Sequence, residues 1–145
     1  MDLQIIPRPL RGAVTPPPSK SIAHRAILAS MLSGSGGTVP GLTHSEDMEA
    51  TGRCVAALLE PAAPDALPLL DCGESGSTLR FLIPVALALR GGGRFTGRGR
   101  LMERPLDPYF GIFREKGTGW KKEGNALTVE GRLAGGEYAL SGKGS

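Results

Sequence analysis

Glycine and proline residues divide this chain of 145 residues into short apolar segments, and this division limits the folds that it can adopt. The chain contains 22 glycines and 12 prolines, which fall mostly at the boundaries between those segments. Because glycine favours turns and proline disrupts helices and sheets, most segments can form only one short helix or strand. The patterns predict strands over residues 3–7, 12–15 and 38–42, and helices near 21–33 and from Ser45 onward.

The second half of the chain repeats this alternation. The apolar spacing predicts a helix through residues 79–87, in which Pro84 should cause a kink or leave one carbonyl unpaired. Each half then runs strand, helix, strand, helix, with extra strands after the second copy. We therefore expect an α/β fold of repeated βαβα(ββ) units, at about 16–68 and 69–145. The remaining predicted elements are strands at 94–96, 119–122, 126–130 and 137–140 and a helix at 107–116.

The composition favours a small anionic ligand over a polyanion or a membrane. Net charge is only +3 and aromatic residues make up 5%, so the interleaved basic and aromatic surface that binds nucleic acid is missing. No apolar run could span a bilayer, and the first residues do not resemble a signal peptide. His24, His44 and the two cysteines lack metal-ligand spacing. We expect a cytoplasmic protein with neither a metal nor an organic cofactor, and no nucleic-acid or membrane partner.

The segment from Pro16 to Arg25 combines a helix start with two basic side chains. Three prolines hold the approach extended, and Ser19 or Ser21 can cap the helix that follows. Lys20 lies at the helix start, and Arg25 lies one turn after Ser21. Helix N-termini attract anions, so this segment is a candidate phosphate or carboxylate site. The alternative is a capped surface helix whose basic residues are solvated.

Two later segments have similar chemistry. In Gly73-Glu74-Ser75-Gly76-Ser77-Thr78-Leu79-Arg80, the glycines allow close approach of a ligand, and Ser77 or Thr78 can cap a helix. The segment fits neither a Walker A loop nor a dinucleotide fingerprint, and an ordinary glycine turn is the alternative. In Arg98–Pro105, Arg104 is the best candidate for binding an anion. Arg98 and Arg100 fit a solvated loop better.

Together these segments resemble the 3-phosphoshikimate 1-carboxyvinyltransferase family of enolpyruvyl transferases. Its bacterial members carry P-x-S-K-S-x-x-x-R, G-x-S/A-G-T/S-x-x-R and R-x-x-E-R-P in this order. The matching segments here are residues 17–25, 73–80 and 100–105. The family's acidic Asp-Ser-x-Asp stretch has a counterpart in His44-Ser45-Glu46-Asp47. The resemblance implies transfer of an enolpyruvyl group from phosphoenolpyruvate to the 5-hydroxyl of shikimate 3-phosphate, within the shikimate pathway that leads to the aromatic amino acids.

The resemblance also implies roles for individual residues. Lys20 would contact both substrates and act in catalysis, while Ser21 and Arg25 would hold shikimate 3-phosphate. Gly76 and Arg104 would contact phosphoenolpyruvate, the glycine by leaving room and the arginine by its charge. Arg80 would brace its loop. Ser145 matches the first serine of the family's Ser-Ser-Gln motif and would contact shikimate 3-phosphate.

By this resemblance, the chain corresponds to the N-terminal part of a two-domain enzyme. Residues 1–15 would form strands that pack with the other domain, and 16–145 would form a partial enolpyruvyl transferase domain. The catalytic acid and base would lie in the missing C-terminal part, which becomes an expected partner. We therefore expect no turnover by this chain alone. The alternative is a non-catalytic anion-binding half of a split protein.

Overall fold

The computed structural model describes residues 3–4, 6–7, 9, 11–34, 39, 41, 45–61, 63 and 66–139. The described residues form a mixed α/β fold, which confirms the predicted fold class. In chain order the elements are α1 (Lys20–Leu32), α2 (Glu46–Leu59), β1 (Leu69–Asp71), α3 (Gly76–Arg90), β2 (Gly92–Thr96), a 3₁₀ turn (Leu101–Glu103), α4 (Asp107–Lys116), β3 (Gly119–Glu123) and β4 (Ala126–Glu130).

The four strands form one sheet in the order β1-β2-β4-β3. β1 and β2 are parallel, with Leu70 opposite Phe95, and α3 connects them. The other two pairings, β2 with β4 and β4 with β3, are antiparallel. A parallel pair needs a long connection whereas an antiparallel pair can close through a tight turn, so the lengths of the connections fit this topology. Gly124 adopts φ +54° in the turn between β3 and β4, a conformation that favours glycine.

The hydrophobic core lies between the sheet and α3. Leu70, Phe95 and Val129 from three neighbouring strands are fully buried, as are Leu82 and Ile83 of α3. α2 packs against α3 and β1, and α1 packs against α2. This arrangement leaves α1 at the outside of the helical layer, where Ile22 and Leu32 are exposed. The position of α1 therefore depends on its contacts with α2 and α3.

Helix starts are set by serine side chains at two of the three long helices. Ser45 accepts a hydrogen bond from the Met48 N–H at 3.4 Å at the start of α2. Ser75 accepts one from the Thr78 N–H at 3.2 Å at the start of α3, so the prediction of a Ser77 or Thr78 cap was wrong. Ser19 occupies the N-cap position of α1, but its side chain makes no capping bond. A hydroxyl at the N-cap stabilises a helix by bonding N–H groups that lack a helical acceptor.

Several predicted strands differ from the observed structure. The described residues within 3–7 and 12–15 form no strand, and neither do Val39, Gly41 or residues 137–139. The rest of 38–42, together with Leu140, lies outside the described residues. A strand requires a partner for its backbone N–H and C=O groups, and the described residues offer none at these places. The division into units at 16–68 and 69–145 remains a prediction.

Pro84 lies inside α3 without ending it. Its ring nitrogen cannot donate to the carbonyl four residues earlier, which belongs to Arg80. That carbonyl instead accepts a hydrogen bond from the Tyr109 hydroxyl of α4 at 2.8 Å. The prediction of an unpaired carbonyl was therefore wrong, because a tertiary hydrogen bond replaces the missing helical one.

None of the helices in the described part of the chain combines the length and the apolar character that crossing a membrane requires.

Candidate functional site

A polar cavity of about 490 Å³ lies where the three long helices begin. Lys20 opens α1, Glu46 and Asp47 open α2, and Gly76 and Ser77 open α3, and all five line the cavity. The first turn of a helix carries N–H groups without helical acceptors and a partial positive charge. Three such ends meeting at one cavity favour the binding of an anion.

Lys20 and Asp47 form an ion pair across the mouth of the cavity. The Lys20 Nζ lies 3.0 Å from Asp47 Oδ2, and the two side chains are 66% and 32% exposed. Such an exposed pair stabilises a fold by no more than about 1 kcal/mol. A bound anion can therefore compete with Asp47 for the lysine.

Arg104 packs directly against Gly76. A Cβ atom built on Gly76 would lie 2.5 Å from Arg104 Nη1 and 3.1 Å from Arg80 Nη1. Both distances are shorter than ordinary contacts, and the first requires the arginine to move. The missing side chain at Gly76 therefore lets two guanidinium groups approach the start of α3. Planar guanidinium groups suit bidentate binding of phosphate or carboxylate.

Arg80 also connects the glycine loop to the segment after Arg104. Its Nη2 donates to the Pro105 carbonyl at 3.3 Å. This contact is of the kind expected for a side chain that braces the loop, and Arg80 lines the cavity as well. The 3₁₀ turn before Arg104 is anchored by the buried side chains of Leu101 and Met102. Arg104 is therefore placed by buried neighbours although its own side chain is exposed.

The cavity lining is balanced in formal charge. Three basic side chains, Lys20, Arg80 and Arg104, face three carboxylates from Glu46, Asp47 and Glu74. The cations and the helix ends would therefore attract an anion, and the nearby carboxylates would repel it. Coulomb interactions fall with distance, so the position of the anion within the cavity decides the balance.

The sequence-predicted residues are only partly brought together. Lys20, Gly76 and Arg104 line the same cavity. Ser21 and Arg25 are exposed on α1 but are not among its lining residues. Arg25 Nη1 donates to the Ser21 carbonyl at 3.3 Å, and its guanidinium lies 5.9 Å from the Phe81 ring centroid. Ser145 lies outside the described residues.

A buried network of polar side chains lies beneath the cavity. His24 Nδ1 lies 2.9 Å from Thr51 Oγ1, which lies 2.7 Å from Thr78 Oγ1. Thr78 Oγ1 lies 2.7 Å from Ser75 Oγ, and all four side chains are at least 98% buried. Burial lowers the pKa of His24, and Lys20 lowers it further, while Asp47 opposes this shift.

Sequence reasoning did not propose the carboxylates of the lining or the buried network as parts of the site. Asp47 could have been found, because it belongs to the segment that resembles the family's acidic stretch. Glu74 lies within the glycine loop itself, yet nothing in the loop's spacing distinguishes it from a solvated residue. Thr51 lies in the middle of an amphipathic helix, and no local sequence pattern marks it as part of the site.

Comparisons with known proteins point to one family. A curated 3-phosphoshikimate 1-carboxyvinyltransferase of Clostridium novyi is 39% identical over 166 aligned residues, covering 97% of this chain and 38% of the relative. The protein of the same name from Clostridioides difficile is 36% identical with the same coverage. The chain thus spans less than two fifths of the length of these relatives.

A solved structure supports the fold. The EPSP synthase of Acinetobacter baumannii has a TM-score of 0.57 and 22% sequence identity, with 81% of this chain and 32% of that chain covered. At this identity the likeness concerns the fold alone. The family model described as EPSP synthase (3-phosphoshikimate 1-carboxyvinyltransferase) matches residues 5–145. On this match, the chain belongs to the EPSP synthase family.

Proposed function

We propose that this chain provides one wall of the substrate site of a 3-phosphoshikimate 1-carboxyvinyltransferase. The proposal rests on the observation that Lys20, Gly76 and Arg104 line one cavity at three helix starts. These residues come from the three sequence segments that resemble the family's motifs. Two anionic substrates require several cationic groups, which the helix ends and basic side chains of this cavity supply.

The proposed reaction transfers the enolpyruvyl group of phosphoenolpyruvate to the 5-hydroxyl of shikimate 3-phosphate. In the addition, a base takes the proton of the 5-hydroxyl, the 5-oxygen bonds to C2 of phosphoenolpyruvate, and the C2–C3 double bond opens as C3 receives a proton from an acid. Elimination then removes a proton from C3 and breaks the bond between C2 and the phosphate oxygen, which releases inorganic phosphate. The two steps need a proton donor and a base as well as stabilisation of charge.

In this proposal the chain stabilises charge and positions the substrates. Arg104 binds the phosphate or carboxylate of phosphoenolpyruvate, and Gly76 leaves the space in which this group approaches α3. Lys20 releases Asp47 and contacts both substrates. Ser21, Arg25 and Ser145 bind shikimate 3-phosphate. The acid and base come from the C-terminal part of the enzyme.

A direct experiment compares binding with turnover. Purified chain, prepared from a host that lacks this enzyme, is titrated by calorimetry with shikimate 3-phosphate and with phosphoenolpyruvate, and is assayed for phosphate release with both substrates. We expect weak binding and no turnover. Arg104→Gln should abolish binding of phosphoenolpyruvate, whereas Arg132→Gln, an exposed arginine outside the cavity, is the matched control. Phosphate release by the chain alone would contradict the proposal.

The alternative is a non-catalytic anion-binding half of a split protein, for which the same cavity of helix starts and basic side chains would bind the anion. Complementation distinguishes the two possibilities. The C-terminal part of the Clostridium novyi relative is added to the chain, and phosphate release is measured. Activity that requires both parts and is lost with Arg104→Gln supports the enzyme. Stable anion binding with no activity in any mixture supports the binding module.

A further inference from the structure

From the side-chain network beneath the cavity, we infer that His24 is a positioning residue which, as the Nδ1–H tautomer, fixes the three helix starts of the anion site relative to one another. The inference deepens the proposed function and rests on it for the identity of the ligand. None of the network residues lines the cavity itself.

On α1 and α2, each buried residue of the network lies one helical turn after a residue that lines the cavity. His24 lies four residues after Lys20 on α1, and Thr51 lies four residues after Asp47 on α2. Residues four apart lie on the same face of a helix. Each residue of the ion pair at the cavity mouth therefore stands directly above a buried member of the network. Ser75 is the N-cap of α3 and immediately precedes Gly76.

A count of protons determines the state of His24. Thr51 Oγ1 has three short contacts, with the Asp47 carbonyl at 3.0 Å, His24 Nδ1 at 2.9 Å and Thr78 Oγ1 at 2.7 Å. The Thr78 hydroxyl donates its single proton to Ser75 Oγ at 2.7 Å, so the 2.7 Å contact between Thr51 and Thr78 must be filled by the Thr51 proton. Thr51 has no second proton and can only accept from His24. The Nδ1 atom of His24 therefore carries a proton.

The rest of the network is consistent with this assignment. The Asp47 carbonyl, 3.0 Å from Thr51 Oγ1 and 3.3 Å from Thr78 Oγ1, is the most distant of these partners and keeps the helical N–H of Thr51 as its donor. The Ser75 oxygen still accepts the Thr78 N–H as the helix cap. If Nδ1 were bare, Thr51 would have to donate to it, and the Thr51 and Thr78 oxygens 2.7 Å apart would have no proton between them. Buried polar atoms rarely remain in such a state.

The first test reads the tautomer in the intact, unmodified chain. Long-range proton–nitrogen correlation NMR on the ¹⁵N-labelled chain at pH 7.5 distinguishes protonated from bare ring nitrogens. A His44→Gln variant identifies which of the two histidine signals belongs to His24. We expect a protonated Nδ1 and a bare Nε2. The opposite tautomer, or signals averaged as in a free imidazole, would overturn the inference whatever ligand the site binds.

The second test asks whether the network positions the site. Thr51→Val removes the hydroxyl at nearly constant shape, whereas Thr51→Ser keeps it. His24→Leu removes the ring donor, whereas His24→Asn places an amide N–H close to the Nδ1 position. We expect inorganic phosphate to bind about tenfold more weakly to Thr51→Val and His24→Leu and within about twofold of wild type to Thr51→Ser and His24→Asn. Equal binding by all four would contradict the inference.

If the wild-type chain does not bind phosphate, the result counts against the proposed function. The positioning role of His24 can still be measured. The backbone amide signals of Lys20 and Gly76 then serve as the readout. They should shift in Thr51→Val and stay in place in Thr51→Ser. Shifts of the same size in both variants would refute the positioning role independently of any ligand.

Discussion

The hydroxyl of Tyr109 donates a 2.8 Å hydrogen bond to the Arg80 carbonyl, which Pro84 leaves without its helical donor. A residue of α4 thus completes the hydrogen bonding of α3 at the turn that also carries the cavity residue Arg80. Burial raises the pKa of Tyr109, so its hydroxyl remains protonated and able to donate throughout the neutral range.

Tyr109→Phe should therefore lower the free energy of unfolding by about 1–2 kcal/mol, because a partly buried carbonyl loses the donor that replaces its helical one. Urea unfolding measures this change. Tyr138→Phe, which removes a more exposed hydroxyl that donates to the Ala134 carbonyl, is the control and should change stability by less than about 0.5 kcal/mol.

The same prediction can be tested as a double-mutant cycle. Pro84→Ala restores a backbone N–H at the position that should serve the Arg80 carbonyl. In the Pro84→Ala background, Tyr109→Phe should lower the free energy of unfolding by clearly less than in the wild type, because the helix then supplies a donor to the Arg80 carbonyl. Equal costs in both backgrounds would mean that Tyr109 stabilises the chain through its ring packing alone.

Gly76→Ala should separate binding from stability. The added Cβ would lie 2.5 Å from Arg104 Nη1, the end of a flexible side chain that can move away. We expect the fold to be retained and the affinity for phosphoenolpyruvate to fall by about tenfold or more, as Arg104 leaves its position. Calorimetry measures the affinity, and thermal unfolding measures the stability.

Gly111→Ala on α4 is the matched control for that substitution, because nothing lies within 4 Å of its added Cβ. It should raise the free energy of unfolding by up to about 1 kcal/mol, as expected for alanine replacing glycine in a helix. Its effect on anion binding should be negligible. An equal loss of binding in both variants would exclude the Gly76–Arg104 contact as the cause.

Asp47→Asn should tighten anion binding. The substitution removes the carboxylate that holds Lys20 Nζ at 3.0 Å and retains the backbone carbonyl used by the buried network. Because an exposed pair of this kind is worth no more than about 1 kcal/mol, the gain in phosphate affinity should be about fivefold or less and should shrink at high salt. Glu123→Gln is the control, since it removes a carboxylate from a surface pair with Lys121.

Stability should decrease on mild acidification because of His24. Its pKa in the folded chain is lowered, mainly by burial, below the model-peptide value of 6.5. The unfolded chain therefore binds a proton first as pH falls through about 6.5, which favours unfolding. The free energy of unfolding should be highest above that pH, decrease below it, and stop decreasing once pH passes the folded pKa. Urea unfolding between pH 7.5 and 5 measures this slope, and His24→Asn should flatten it.

Most local elements of the second half were predictable from sequence because each has its own boundary signal, but residues 137–139 of the strand predicted at 137–140 form no strand. Helix α4 and strand β4 have the predicted limits of 107–116 and 126–130, where glycine and proline mark the ends. The strands predicted near the N-terminus were not observed among the described residues. Their short apolar patterns resemble strands, but a strand forms only with a partner, and periodicity does not identify the partner.

The candidate site was predictable where its chemistry is local. The glycine, lysine and arginine positions lie within short motifs, and these motifs indicated the residues that the fold brings together at the cavity. The network beneath them depends on residues 27 positions apart, such as His24 and Thr51. Such pairs are created by helix packing, and single-sequence patterns contain no information on it.

The cavity is assembled from residues that span positions 20 to 104, so it exists only when all three long helices and the segment around Arg104 are in place. A ligand of this cavity binds only the folded chain and therefore shifts the folding equilibrium toward the folded state. At a concentration 100 times its dissociation constant, such a ligand would add about 2.7 kcal/mol to the free energy of unfolding. At a fixed ligand concentration, the melting temperature of the chain therefore rises with the affinity of the ligand. Candidate anions can be ranked by thermal unfolding, without any catalytic assay.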